Sequence, residues 1–370
     1  MRVVVLYHES GEEATVEDRD VLVQRDAVSD ALKRLGHQTS CLSCTLDLAT
    51  AKQQLIALAP DLVFNLVESL GGTDRLMVLA TMLLDALHIP YTGTQTDAIL
   101  ATSNKLTAKL LLHEAGLPTP VWLPTNVAFR SAKGAFVCGA NNDERWILKP
   151  VLEHASFAMD DDAVVAANDT LDLEGKLRDR ERQIGRPLFA EQFIEGREFN
   201  LSMLNGQVLP PAEIDFSSFP PNKPRIVGHQ AKWDQDSFES QQTPRHFEFP
   251  TTDATLLERV SALALKCWQL FDLSGYARVD FRVDCEGQPW ILEINANPCL
   301  SPDAGFVAAV SQAGITYDEA IQRIIESSVR RASEPVESSR RPTSTDTTAL
   351  EGHRKLTKPD NAPRTLTPRM

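Results

Sequence analysis

Two carboxylates, an arginine and an amide stand out in one stretch of the chain. Tyr276-Ala277-Arg278-Val279-Asp280-Phe281-Arg282-Val283-Asp284 alternates apolar and polar residues, and so does Gln288-Pro289-Trp290-Ile291-Leu292-Glu293-Ile294-Asn295 beyond Cys285-Glu286-Gly287. A period of two marks half-buried strands. With Glu286-Gly287 as a two-residue turn, Asp280 faces Glu293 and Arg278 faces Asn295. Val279, Phe281 and Val283 then share a core face with Trp290, Leu292 and Ile294. Carboxylates directly across an antiparallel ladder repel one another. A divalent cation between them removes the repulsion, and oxygen donors on rigid strands suit Mg²⁺ with bound phosphates. The competing reading is a solvated acidic face with Arg278 paired to one carboxylate.

Other charges are less telling alone. Lys149 closes the apolar run Trp146-Ile147-Leu148 and is either a sheet rim or a ligand contact. Glu191 and Glu198 read equally as solvated charges. Cys41 and Cys44 form a lone C-x-x-C near His37, but a structural zinc site needs four ligands and no second pair follows. Six cysteines scattered through 370 residues look like reduced cytosolic thiols. A net charge of −14 repels phosphate backbones, which argues against nucleic acid as a partner. Any nucleotide site must concentrate positive charge against that field.

The elements that must position these residues come from the rest of the pattern. A chain with 42% hydrophobic and 24% charged residues is globular, and its length suits two or three domains. No apolar stretch is long enough to span a membrane. The opening run Val3 to Tyr7 is too short for a signal peptide and reads as a strand, which places the protein in the cytoplasm. Strands at 3–7, 38–42 and 62–66 alternate with helices at 18–35, 47–58 and 74–88, the pattern of an open parallel α/β sheet. Neither G-x-G-x-x-G nor G-x-x-x-x-G-K-[ST] is present, so an NAD-linked reading fails. A helix at 104–115 stops at Gly116-Leu117-Pro118. From about 121 the pattern turns to paired strands, with Asn205-Gly206 as a hairpin turn, and helices follow at 251–271 and 316–328. Residues 331–370 are rich in Ser, Thr, Pro and basic residues and read as a disordered, solvated tail. From Arg330 onward nine basic residues oppose five acidic ones.

Five motifs then appear in order: Thr102-Ser103-Asn104-Lys105, Trp146-Ile147-Leu148-Lys149-Pro150, Phe189-Ala190-Glu191-Gln192-Phe193-Ile194-Glu195-Gly196-Arg197-Glu198, Gln230-Ala231-Lys232-Trp233, and the Arg-x-Asp and Glu-x-Asn hairpin. Over about 1–325 the chain resembles the ATP-grasp superfamily, and in particular the D-alanine–D-alanine ligase family. The resemblance implies an N-terminal open parallel α/β domain at 1–103 and an α+β, two-lobed ATP-grasp domain. Its small lobe would cover 104–190 and its large lobe 191–330. It further implies that Lys105 and Lys149 contact ATP phosphates, and that Glu191 with the backbone of Phe193 and Ile194 holds the adenine edge. Glu198 would take the ribose hydroxyls, and Lys232 would approach the terminal phosphate. Asp280, Glu293 and Asn295 would bind two Mg²⁺ ions, or Mn²⁺. Arg278 would stabilise charge in acyl transfer, with Ser156 and Lys232 beside it. The implied partners are small amino acids, with no membrane or nucleic acid, in a homodimer.

The substrate-facing segments depart from the family pattern. Where a Gly-Ser-rich loop is usual, the chain has Val151-Leu152-Glu153-His154-Ala155-Ser156-Phe157-Ala158. His154 there is either a phosphate ligand or a cap. The His-Gly…Gly-Glu-Asp-Gly segment is replaced by Asn65-Leu66-Val67-Glu68-Ser69-Leu70-Gly71-Gly72-Thr73-Asp74. Asp18 falls near the family's amino-binding glutamate but reads as a helix-start aspartate. Trp233 stands for a usual tyrosine, and Pro298-Cys299-Leu300-Ser301-Pro302-Asp303-Ala304-Gly305 replaces Pro-Gly-Met-Thr in what would be the second substrate pocket. The expectation is an ATP-dependent carboxylate–amine ligase joining two small amino acids through an acyl phosphate, with a cell-wall precursor as one destination. Its alternatives are a ligase for a different amino acid or peptide, and a non-catalytic ATP-binding protein.

Overall fold

Val3, Val4, Val5 and Leu6 are all buried in β1 (Arg2–His8), which runs parallel between β2 (Gln38–Cys44) and β3 (Leu62–Leu66). The computed structural model describes residues 1–9, 16–124, 145–154 and 156–333, without the side chains of 16–18, among them Asp18. Helices α1 (Val16–Arg34) and α2 (Leu48–Leu58) are connected in the right order to cover this sheet. Cys41 and Cys44 lie three apart on β2, one exposed and one buried, and both are free thiols. The expected helix at 74–88 is broken. A 3-10 turn at Asp74–Leu76, capped by the Thr73 hydroxyl, precedes α3 (Val78–Ala86). Helix α4 (Thr96–Ser103), which the pattern did not announce, is short, and its N-terminal Gln95 makes no side-chain cap.

Helix α5 (Lys105–Glu114) is set by Asn104, whose Oδ1 accepts from Leu106 N and Thr107 N at 3.0 and 3.1 Å. That cap puts Lys105 at the first helical position. The next sheet is antiparallel, in the order β4 (Trp122–Pro124), β7 (Leu188–Gln192), β5 (Arg145–Pro150), β6 (Val164–Ala166). Within the stretch read as strands lies α6 (Thr170–Ile184). Its charged sequence hides a narrow apolar stripe in which Leu173 and Leu177 pack on Trp146, Leu148 and Leu188.

Gly196 leads from β7 into the largest sheet at φ +142°, where an added Cβ would overlap the Val283 carbonyl. That sheet runs β11 (Arg245–His246), β10 (Ala212–Ile214), β8 (Arg197–Leu204), β12 (Tyr276–Val283), β13 (Pro289–Ala296). Strand β9 (Gln207–Val208) pairs with β8 across Asn205-Gly206, both at positive φ as a type I′ turn requires. Two short helices, α7 (His229–Trp233) and α8 (Phe238–Gln241), precede α9 (Ala254–Leu270), whose Val260, Ala264 and Cys267 support the sheet.

The pattern did not announce α10 (Gly305–Gln312) either. With α11 (Tyr317–Ser333) it buries Phe306, Val310, Ile321 and Ile324 in the same core as Val3, Val5, Leu32 and Phe64. Met1–Ser333 thus make one compact unit. The expected tail begins too early, because α11 continues through Ser333. Arg331 there donates to the carbonyls of Tyr91 and Gly93 at 2.7 and 3.0 Å and to Ser274 Oγ at 2.7 Å. The rest of that tail lies outside the described residues. No described helix is long and apolar enough to cross a membrane.

Candidate active site

The β12–β13 hairpin brings Asp280 directly opposite Glu293 and Arg278 opposite Asn295. The turn that does so differs from the expected one. Asp284 and Gln288 close a three-residue loop, with Gly287 at φ +76°. A bulge then inserts Leu292 between the Phe281/Ile291 and Asp280/Glu293 pairs. The longer turn and the extra residue cancel, so the pairing at the site is the one the two-residue turn implied. Between turn and bulge the face is shifted. Ile291, with Ile294, joins Val279, Phe281 and Val283 in the core, while Leu292 lines the cleft. Trp290 leaves the core face too and donates its indole N–H to Asp284 Oδ2 at 2.8 Å.

The carboxylate face is enclosed, not solvated. Asp280 is 6% exposed and receives Arg278 Nε and Nη2 at 2.7 Å each. Asn200 on β8 donates to its Oδ1 at 2.9 Å. Asn295 Nδ2 reaches both Asp280 Oδ2 at 2.9 Å and Glu293 Oε1 at 3.3 Å. Arg278 therefore pairs with one carboxylate, as the competing reading required, but inside a cleft. Burial pushes the Glu293 carboxyl upward, yet Lys105, Lys232 and Lys149 outweigh it and hold the group well below the usual carboxylate range. Burial works against the charge of Arg278, and Asp280 more than restores it. Burial lowers the pKa of Lys105, partly offset by Glu293. Lys232, on α7, keeps area toward the open cleft, and burial with Arg278 beside it lowers its pKa.

Lys149 Nζ contacts Glu191 Oε1 at 2.5 Å, and Lys109 Nζ contacts the other oxygen at 2.5 Å. Lys109 also donates to Thr119 Oγ1 and Pro120 O and lies over the Trp122 ring. The sequence reading missed Lys109; its one signal was its position one helical turn after Lys105. Burial raises the Glu191 carboxyl, but the two lysines prevail and keep it ionised. The Phe193 N–H is engaged by Arg145 O at 2.9 Å, so only its carbonyl can serve an adenine edge. Ile194 lines the cleft beside it. Glu198 meets Arg282 at 2.8 Å, directly across the β8–β12 ladder. Burial raises its pKa, with Arg282 opposing.

The segment after Lys149 is fastened on two sides. Lys105 Nζ donates to Glu153 O at 2.5 Å, and His154 N donates to Asp74 Oδ2 at 2.6 Å. Thr73 Oγ1 and Asp74 N donate back to the Glu153 carboxylate, which Arg186 approaches at 3.3 Å. Ser156, at φ +60°, donates its hydroxyl to Val227 O at 2.8 Å, and His229 N donates to Met159 O. These bonds place the loop against the start of the helix that carries Lys232. Burial, followed by Lys105 and Lys232, lowers the His154 pKa to about 3, so the ring is neutral. Its Nε2 finds no partner among the described residues.

At the N-terminal end, Asp20 accepts from Ser301 Oγ at 2.6 Å and Cys299 Sγ at 3.0 Å. Gln24 Nε2 donates to both Asp20 and Glu68 and its Oε1 accepts from Leu300 N. Burial raises Glu68 to about 7, with Asp20 and Asp74 adding repulsion. All of the residues anticipated for ATP, metal and catalysis line one cavity of about 640 Å³ that these groups share.

A two-lobed, lysine-lined cleft floored by a carboxylate hairpin is the architecture of an ATP-grasp protein. Residues 145–326 match the family described as D-ala D-ala ligase C-terminus. A D-alanine–D-alanine ligase of Methylococcus capsulatus is 30% identical over 307 residues, 82% of this chain and 89% of that protein. One from Gloeobacter violaceus is 29% identical over 333 residues, 89% of this chain and 100% of that protein. The crystal structure of the Bacillus anthracis D-alanine–D-alanine ligase complexed with ATP shares the fold. Its TM-score is 0.65 at 22% identity, covering 90% of this chain and 99% of that one. The chain belongs to the D-alanine–D-alanine ligase family.

Proposed function

We propose that this chain is an ATP-dependent ligase that joins two small amino acids by a peptide bond. The carrying observation is the convergence of Lys105, Lys149 and Lys232 on Glu293, opposite Asp280, in a cleft that otherwise belongs to a strongly acidic protein. Transfer of the terminal phosphoryl group of ATP to a substrate carboxylate gives ADP and an acyl phosphate. An amine then attacks the acyl carbon, the C–O bond to phosphate breaks, and the amine proton leaves with solvent or phosphate. Phosphoryl transfer needs positioning and charge neutralisation more than covalent help.

In this reading Lys105 and Lys149 hold the phosphates, Lys232 meets the terminal one, and Glu191 with Phe193 and Ile194 receives the base. Glu198 takes the ribose, and Arg278 neutralises the oxyanion of the tetrahedral intermediate. Ser156 holds the loop over the phosphates through Val227 O. Asp280, Glu293 and Asn295 offer hard oxygen donors, and the lysines keep Glu293 ionised, which fits Mg²⁺. The ion, when bound, neutralises phosphate charge.

D-alanine is the first candidate for both substrates, because it is what the named relatives join. A different amino acid is favoured by one observation: Asp20 is already engaged by Ser301 and Cys299, and Gln24 donates to both Asp20 and Glu68. The test is phosphate release from MgATP with single and paired D- and L-amino acids, with Glu293→Gln as the blank. Release that a particular pair stimulates and the blank lacks supports the ligase; ATP binding without ADP formation for any pair refutes it.

A further inference from the structure

His37, Trp122, Trp146, His154 and Arg180 each keep a buried side-chain nitrogen with no partner among the described residues. Of these, His154 alone lines the cleft. Buried polar atoms are nearly always matched, so an unmatched one in a ligand cleft points to a group that arrives with the ligand. The charges that act on this ring are those of Lys105, Glu293 and Lys232. In the ligase reading both lysines are phosphate ligands, which puts the ring at the phosphate end of the cleft. Burial first and Lys105 next keep the ring neutral, against Glu293, so it offers a hydrogen bond without adding charge.

The rest of the loop after Lys149 has little left to give an anion. Ser156 spends its hydroxyl proton on Val227 O, and Ala155 brings no side-chain donor. His154 N, Phe157 N and Met159 N are spent on Asp74 Oδ2, His154 O and Ser156 O. Those same bonds fix the backbone from which the His154 ring projects. Resting on the ligase reading, we propose that His154 is a catalytic residue whose Nε2–H donates to the terminal phosphoryl group of ATP as it passes to the substrate carboxylate. The P–O bond to ADP breaks and a P–O bond to the carboxylate forms, while the imidazole proton stays on nitrogen. Lys232 supplies charge on a flexible stem, and the ring supplies a donor of fixed direction. The imidazole thereby takes over work for which the loop has no free hydroxyl.

The test compares two nucleotides bound to the full chain by titration calorimetry: MgADP, and the magnesium complex of β,γ-imido-ATP, which keeps a terminal phosphate but is not hydrolysed. His154→Phe keeps a ring and loses both nitrogens. It should weaken the imido analogue about 10- to 100-fold, the scale of a hydrogen bond to a charged group, and leave MgADP unchanged. His154→Ala, which cannot overpack the loop, should show the same split. His154→Gln places an amide N–H near the position of Nε2 and should restore most of the loss. Equal losses for both nucleotides in His154→Ala, or an unchanged affinity for the imido analogue, overturn the proposal. So does a Gln variant as weak as the Ala variant. Wild type that binds neither nucleotide would overturn the ligase reading as well, whereas wild-type binding with no split among the variants overturns this proposal alone.

Discussion

Lys109 Nζ lies 2.5 Å from Glu191 Oε2, and each side chain is only 1% exposed. With Lys149 on the other oxygen, the carboxylate is clamped from both sides and cannot rotate without breaking a buried ion pair. Burial lowers the Lys109 pKa to about 8, with Glu191 opposing, so the lysine stays charged at neutral pH. Replacing Lys109 with Met should leave Glu191 under-neutralised and free to turn. Removing one partner of a buried pair costs about 3–5 kcal/mol. The expected outcome is a loss of that order in chemical unfolding, with a weaker ATP affinity than the stability loss alone would give. Wild-type ATP affinity in the folded variant would show that the clamp serves the fold only.

The bond from His154 N to Asp74 Oδ2, at 2.6 Å, ties the loop after Lys149 to the segment that carries Glu68. Because Glu153 is held in return by Thr73 and Asp74, the two segments fix each other. Asp74→Ala should release the loop at a cost of about 1–3 kcal/mol for the unsatisfied buried groups. Kinetically, KM for ATP should rise more than kcat falls, because the loss is in ground-state positioning. Limited proteolysis should cut near 151–158 sooner than in wild type. An unchanged KM with an unchanged cleavage pattern would show that the clasp is redundant.

Much of this site was legible from period and register alone. The Asp280/Glu293 pairing needed only strand alternation and a short turn, and it survived an error in the turn because the bulge at Leu292 compensated. The same error put Trp290 and Leu292 on the wrong face, since alternation carries no mark of an inserted residue. Helix α6 was missed because eleven of its fifteen positions from Thr170 to Ile184 are not large apolar residues and only Leu173 and Leu177 are buried. Lys109 was invisible for a different reason. A lysine on a helix reads as solvated, and only the fold brings Glu191 over it. Glu68 and Asp20 are 48 residues apart in sequence, and no local pattern shows that one glutamine, Gln24, donates to both.

Glu68 and His154 should act on stability in opposite senses. Burial raises Glu68 from 4.5 to about 7, so between those values the folded chain holds a proton that the unfolded chain has released, and stability falls as pH rises. Burial, with Lys105 and Lys232, lowers His154 from 6.5 to about 3. Across that window the unfolded chain holds the extra proton, and stability rises with pH. Where the windows overlap, from 4.5 to 6.5, the two slopes of about 1.4 kcal/mol per pH unit cancel. Glu68→Gln should leave a rise in stability with pH there, and His154→Asn a fall. Denaturant midpoints at pH 4.5, 5.5 and 6.5 check this. Parallel profiles for the two variants would contradict it.

Arg331 marks where the folded unit ends. Its guanidinium bridges Tyr91 O, Gly93 O and Ser274 Oγ, so the last turns of α11 hold the segment between α3 and α4 against the residues just before β12. Burial lowers its pKa, with Tyr91 and Asp85 opposing, which is the signature of an arginine placed inside the structure. A chain ended at Ser333 keeps these bonds and should retain both ATP turnover and its unfolding midpoint. A chain ended at Arg330 loses them and strips three backbone and hydroxyl acceptors of their donor, which costs about 1–3 kcal/mol. Arg331→Ala in the full-length chain should reproduce that loss. Equal midpoints for the two truncations would show that the bridge contributes nothing, and lost turnover in the longer one would place a functional element beyond Ser333.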